Sequence, residues 1–180
     1  MRIMTTADTK YREVFDRSVV RIEGVYGLKV VLTEIPAPYT ADTDGASIFV
    51  DPRLTAEEIL FATVHLFGHA VEWNTSEIDR KLGVLEVREP TEELLATLLE
   101  YERRAARYSL QFLHDTGVRD LDQWLSDYAA CDSAYLFHFY RTGEKKQFRS
   151  FWSDGAELLV PLSIPAFQPT KWISRSGVVI

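Results

Sequence analysis

The chain has 180 residues, enough for one folded unit with a real core of its own, and with 46% hydrophobic and 12% aromatic residues it is not a disordered chain. A formal charge of −7 with no block of basic residues argues against nucleic acid as a direct partner. The single cysteine, Cys131, excludes an intrachain disulfide, and no stretch approaches the roughly 18 consecutive apolar residues that mark a membrane span.

The opening residues lack the apolar run of a secretory signal, so the expected location is the cytoplasm. From residue 7 to 23, Tyr11, Val14, Phe15, Val19 and Ile22 recur at helical spacing and predict an amphipathic helix ended by Gly24 and Gly27. Leu28 to Ile35, rich in β-branched residues and stopped by Pro36 and Pro38, reads as a strand. Tyr39 to Gly45 is polar and reads as a loop, and Ser47 to Val50 as a second short strand.

Thr55, Ala56, Glu57 and Glu58 match a capping box, in which the Thr hydroxyl and the Glu carboxylate satisfy amides of the first turn. The helix it opens carries Ile59, Leu60, Ala62, Thr63, Leu66, Ala70 and Val71 in a wide apolar stripe, so a deeply buried helix is expected as far as Asn74. After a mixed connection from Thr75 to Pro90, Thr91 begins a long helix through Phe112, with Gly117 as its stop. Asp120 to Tyr128 and Ser133 to Tyr140 read as two shorter helices, with Asp132 and Ser133 as the N-cap of the second. Residues 1–147 are thus expected to form the domain. Residues 148–180 read as an irregular Pro- and aromatic-rich extension packed on it, with at most one strand among residues such as Gly177, Val178, Val179 and Ile180.

The chemistry concentrates in the buried helix. His65 and His69 lie one helical turn apart, so both imidazoles can reach one cation from the same face. Two imidazoles in an otherwise apolar helix must hydrogen-bond or ligate to offset their desolvation. Gly68 between them permits close approach of another segment but sacrifices about 1 kcal/mol of helix propensity relative to Ala, so a packing or site-related reason is expected for it. Glu72 follows on the same side, either as a ligand or base or as a solvated charge near the helix end. A third ligand from the long helix could be Glu102, with Glu100, Glu92 and Glu93 as competitors, the last two serving the helix dipole. Arg103, Arg104 and Arg107 form the densest basic patch but sit beside Glu100 and Glu102. His114 and His138 have no ligand spacing and read as structural.

The stretch from Gly45 through Asp51 followed by LTAEEILFATVHLFGHAVEW resembles the ImmA/IrrE metallopeptidase-like proteins, in which a short strand and a capped helix carry a zincin HExxH motif. Glu102 to Tyr108 resembles that family's ExEANxFA stretch, and the likeness spans about residues 24 to 113. It implies a zincin-like α+β fold, a small sheet packed on a metal-binding helix with further helices, and zinc held by His65, His69 and Glu102. It also implies a regulatory protein as substrate or partner, such as a helix-turn-helix repressor.

Three positions depart from the family pattern: Leu66 replaces the glutamate of HExxH, Arg104 the second glutamate of the downstream stretch, and Ala106 its asparagine. In zincins that first glutamate moves the proton of the attacking water, which leucine cannot do. The expectation is a zinc-binding pseudo-peptidase or regulatory protein. Its alternative is an active zinc endopeptidase that uses Glu72, or another carboxylate, as base.

Overall fold

The computed structural model describes residues 6–172 and is α+β, with five α-helices and one three-stranded sheet. Helix α1 (Thr6–Arg21) turns Val14, Phe15 and Ser18 inward and runs on through a wider π-helical turn, Ile22–Tyr26. Gly24 therefore lies inside that turn. The stop is Gly27, whose φ of 72° a side chain would resist.

Strand β1 (Lys29–Leu32) is shorter than Leu28 to Ile35: its pairing runs out at Val50, opposite Leu32, and beyond it the Ile35 amide donates to Asp51 Oδ2 at 3.1 Å. Strand β2 (Ala41–Thr43) falls where a loop was expected. It has only three residues, too few for alternation to register, yet Ala41 and Thr43 are buried. Strand β3 (Ser47–Val50) lies between them, parallel to β1 and antiparallel to β2. Asp44 shapes the β2–β3 turn: its Oδ1 accepts the amides of Ala46 and Ser47 at 3.0 and 2.7 Å, beside Gly45 at φ 91°.

The passage into the next helix is fixed by Asp51, whose Oδ1 accepts the Arg53 amide at 2.9 Å and Arg53 Nε at 2.8 Å. Helix α2 (Ala56–Thr75) then opens with the predicted capping box: Glu58 N donates to Thr55 Oγ1 at 3.3 Å, and Thr55 N to Glu58 Oε2 at 2.9 Å. Every residue from Ile59 to Trp73 is buried, as an apolar surface on all sides requires. The sheet, α1 and α4 (Glu92–Asp115) all pack on it.

Close approach at Gly68 is borne out: a Cβ there would strike the Ala105 carbonyl of α4. One turn away the crossing is pinned by Ser109 Oγ, which donates to Val64 O at 2.7 Å. The mixed connection holds a short helix, α3 (Glu77–Gly83), capped by Ser76 Oγ accepting the Asp79 amide at 3.1 Å.

Helix α5 (Asp122–Thr142) is one helix where two were expected. Leu125, Tyr128, Cys131, Asp132 and Tyr135 share its buried face, so packing of a continuous stripe overrides the capping tendency of Asp132 and Ser133. Past a 3-10 turn at Phe148–Phe151, residues 152–172 have no regular secondary structure and run across the helices. Leu159 N donates to Ser126 Oγ at 3.0 Å, Leu162 N to Arg107 O at 3.2 Å, and Thr170 N to Asn74 Oδ1 at 2.8 Å. Gly177 to Ile180 lie outside the described residues. None of the described helices is long and apolar enough to cross a membrane.

Candidate metal centre

Three helices meet at one polar point in the core. From α2, His65 and His69 turn their Nε2 atoms toward each other, 3.1 Å apart. From α4, Glu102 Oε2 lies 2.9 Å from His69 Nε2 and 3.4 Å from His65 Nε2. Zinc bonds of about 2.0 to 2.2 Å in tetrahedral geometry put neighbouring donors about 3.3 to 3.6 Å apart, so this triangle is close to the size such an ion needs. His65, His69 and Glu102 thus stand within metal-binding distance of one another, and all three are buried or nearly so.

The tautomer of His69 is set from behind. Its Nδ1 faces Glu72 Oε2 at 3.0 Å, so Nδ1–H donates to the carboxylate and Nε2 of the neutral ring is left with its lone pair toward Glu102 and His65. Glu72 is 1% exposed, which removes the solvated-charge reading. Its other oxygen accepts from Arg104 Nε at 2.9 Å, and Arg104 Nη2 reaches Asp79 Oδ1 at 2.5 Å. Glu72 therefore sits behind the imidazole with both oxygens engaged, rather than on the cavity wall. Arg104 is the counter-charge that lets Glu72 be buried there.

Electrostatics follow from this packing. Burial alone would lower the His69 pKa, but Glu102 and Glu72 outweigh it and lift it to about 10. Burial opposes the Glu102 charge, yet His69 and His65 hold its carboxyl well below the usual carboxylate range. Burial lifts Glu72 to about 7, against the pull of His69 and Arg104. A proton held between His69 and Glu102 is the charge that a bound cation would replace.

The point opens onto a cavity of about 450 Å³ whose walls include Leu66, Tyr101, Tyr135, Phe139 and Tyr140. Tyr101 lies 4.6 Å from the His69 ring, centroid to centroid, and its hydroxyl accepts from Trp73 Nε1 at 2.8 Å. Phe61 stacks on His65 and on Tyr128. Of the aromatics of α5, Tyr128 is thus core, and Tyr135, Phe139 and Tyr140 are cavity wall.

One functional candidate escaped the sequence. Asp132 is 7% exposed, lines the same cavity and brings Oδ2 to 4.0 Å from His65 Nε2. Burial, opposed by His65 and reinforced by Glu102, lifts its pKa to about 6. Had α5 been read as one helix, an aspartate four residues after Tyr128 and three before Tyr135 would have stood out on an apolar face. The competitors for third ligand stay away: the Glu92 carboxylate pairs with Arg141 on the surface, and Glu93 and Glu100 are exposed. His114 bonds Asp122, and His138 pairs with Glu144 at 3.2 Å.

Comparison with protein-family models, with curated proteins and with solved structures finds no match for this chain.

Proposed function

We propose that this chain is a zinc-binding, zincin-like protein of the ImmA/IrrE type that has lost ordinary peptide hydrolysis and works by recognising a protein partner. The observation that carries the metal half is the convergence of His65 Nε2, His69 Nε2 and Glu102 Oε2 on one buried point. His69 is oriented for ligation by Glu72, and Glu72 is in turn held by Arg104. Bound there, zinc would supply a Lewis acid able to polarise a carbonyl.

Loss of hydrolysis is inferred from Leu66. It occupies the family's base position, lines the cavity and can neither take nor give a proton. The partner would be a regulatory protein, with a helix-turn-helix repressor as the first to try, and the setting the cytoplasm, in keeping with one buried free cysteine. A second reading, an active zinc endopeptidase, draws on the cavity beside the ligand triangle, which has room for a substrate segment. It needs a base other than Leu66, and Glu72 has no free oxygen to offer.

The test is elemental analysis with zinc titration of the parent, His65→Ala and His69→Ala proteins, followed by repressor cleavage assays on the parent and Leu66→Glu. One ion per parent chain, lost in both histidine variants, is expected, with cleavage absent from the parent. A parent that takes up no added zinc would overturn the metal half. Zinc-dependent cleavage by the parent would overturn the other.

A further inference from the structure

Asp132 is 7% exposed and no donor among the described residues makes a hydrogen bond to it; His65 Nε2 lies 4.0 Å from its Oδ2. The carboxylate lines the cavity wall, largely withdrawn from water and with no protein donor, and such a group points to a cation it can meet. Around the cluster Glu72 is already matched by Arg104. Once both imidazoles ligate through a deprotonated Nε2, Glu102 and Asp132 supply two negative charges beside them, and a divalent ion balances the pair.

We infer that Asp132 is the fourth protein ligand of the ion held by His65, His69 and Glu102, so that the site closes on four donors from α2, α4 and α5. The inference rests on the metal-binding reading above. The edge from His65 Nε2 to Asp132 Oδ2 exceeds the tetrahedral spacing of about 3.3 to 3.6 Å by less than 1 Å, and Asp132 stands just outside the triangle whose donors lie within 4.8 Å of one another, so ligation requires its carboxylate to swing inward from α5. Four protein ligands with no position for solvent are the hallmark of a structural or regulatory ion rather than a hydrolytic one. The ion would then tie α5, which forms one wall of the cavity, to the α2–α4 pair.

The experiment uses the full chain as parent, Asp132→Asn and His65→Ala, with cobalt(II) as spectroscopic probe and zinc for affinity and thermal unfolding. The parent is expected to give the intense visible bands of four-coordinate cobalt. Asp132→Asn should shift and weaken those bands and lower zinc affinity by more than about 100-fold, beyond the 10- to 100-fold typical of a group that only supports a ligand. With metal removed, Asp132→Asn should unfold at a higher temperature than the parent, because a largely buried carboxylate with no hydrogen-bond donor is gone. With zinc present the order should reverse.

An unchanged cobalt spectrum in Asp132→Asn would overturn direct ligation, and a fall in affinity within 100-fold would then make Asp132 a hydrogen-bond acceptor for solvent on the ion. A variant less stable than the parent both with and without metal would make Asp132 an ordinary structural residue. Should the parent itself bind neither ion, the metal-binding reading fails along with this one. Binding by the parent that survives His65→Ala would overturn both readings by moving the site elsewhere, whereas binding lost in His65→Ala but unchanged in Asp132→Asn overturns the Asp132 inference alone.

Discussion

Two histidine clusters in this molecule are built on opposite plans. At the end of α4, His114 Nε2 donates to Asp122, 2.8 Å from Oδ1, while Arg119 Nη1 donates to its Nδ1 at 3.2 Å. Each ring nitrogen has its own partner and all three residues lie within one short stretch of chain. In the core, His65 and His69 instead turn Nε2 toward Nε2, with Glu102 completing the triangle. Two imidazole lone pairs cannot satisfy each other; they need a proton or a metal between them. The contrast separates a histidine finished by its neighbours from one held ready for a ligand, and burial alone would not separate them.

The largest effect that could break this contrast is on metal content. His69→Gln should abolish zinc binding and His114→Gln should leave it intact, measured as metal per chain after dialysis. Loss of zinc in His114→Gln would show that the satisfied cluster is not merely structural. Next comes Glu72→Gln, which keeps the shape but weakens the hold on His69 Nδ1. Zinc affinity should fall about 10- to 100-fold by chelator competition, and an unchanged affinity would mean that Glu72 does not orient the ring.

Gly68→Ala probes the helix crossing on which only the core cluster depends. Its Cβ would meet the Ala105 backbone, so unfolding in urea should register a loss of about 1 to 3 kcal/mol, with zinc binding weakened as Glu102 is pushed away. Wild-type stability in that variant would mean that the two helices part freely.

Acidity gives a gentler test. The folded pKa of His69 is raised from 6.5 to about 10, so across that window the metal-free core site carries a proton that zinc must displace. Affinity should therefore rise about tenfold per pH unit between them, with one proton released per ion in calorimetry. Stability of the metal-free protein runs the opposite way: the contribution of protonated His69 is complete below 6.5 and is lost as pH rises through about 10. Last, His114→Gln should cost about 1 kcal/mol or less, the worth of one partly exposed hydrogen bond.

Local signals were enough to find the core of this site. The capping box at Thr55, the apolar run behind it and the spacing of His65 and His69 are written within 20 consecutive residues of α2. What stayed hidden depends on distant partners. Glu72 reads as a ligand, a base or an end-of-helix charge until Arg104, on another helix, is known to neutralise it. Asp132 reads as a cap because Asp favours caps, and only the packing of α5 as one continuous stripe turns it inward. Strand β2 is three residues long, and a period of two cannot show itself in so short a piece.

Asn74 gives the molecule an order of assembly. Its Nδ2 donates to the Gly45 carbonyl at 2.7 Å, while its Oδ1 accepts the Thr170 amide across a sequence separation of 96. Contacts that close so long a loop are slow to form, and during synthesis the far end emerges last. The helices that carry His65, His69, Glu102 and Asp132 have all been made before Thr170 exists to bond with Asn74. A ribosome-tethered chain halted before residue 170 should therefore already bring the His65, His69 and Glu102 donors together, with the final segment arriving afterwards as a fastening rather than a scaffold.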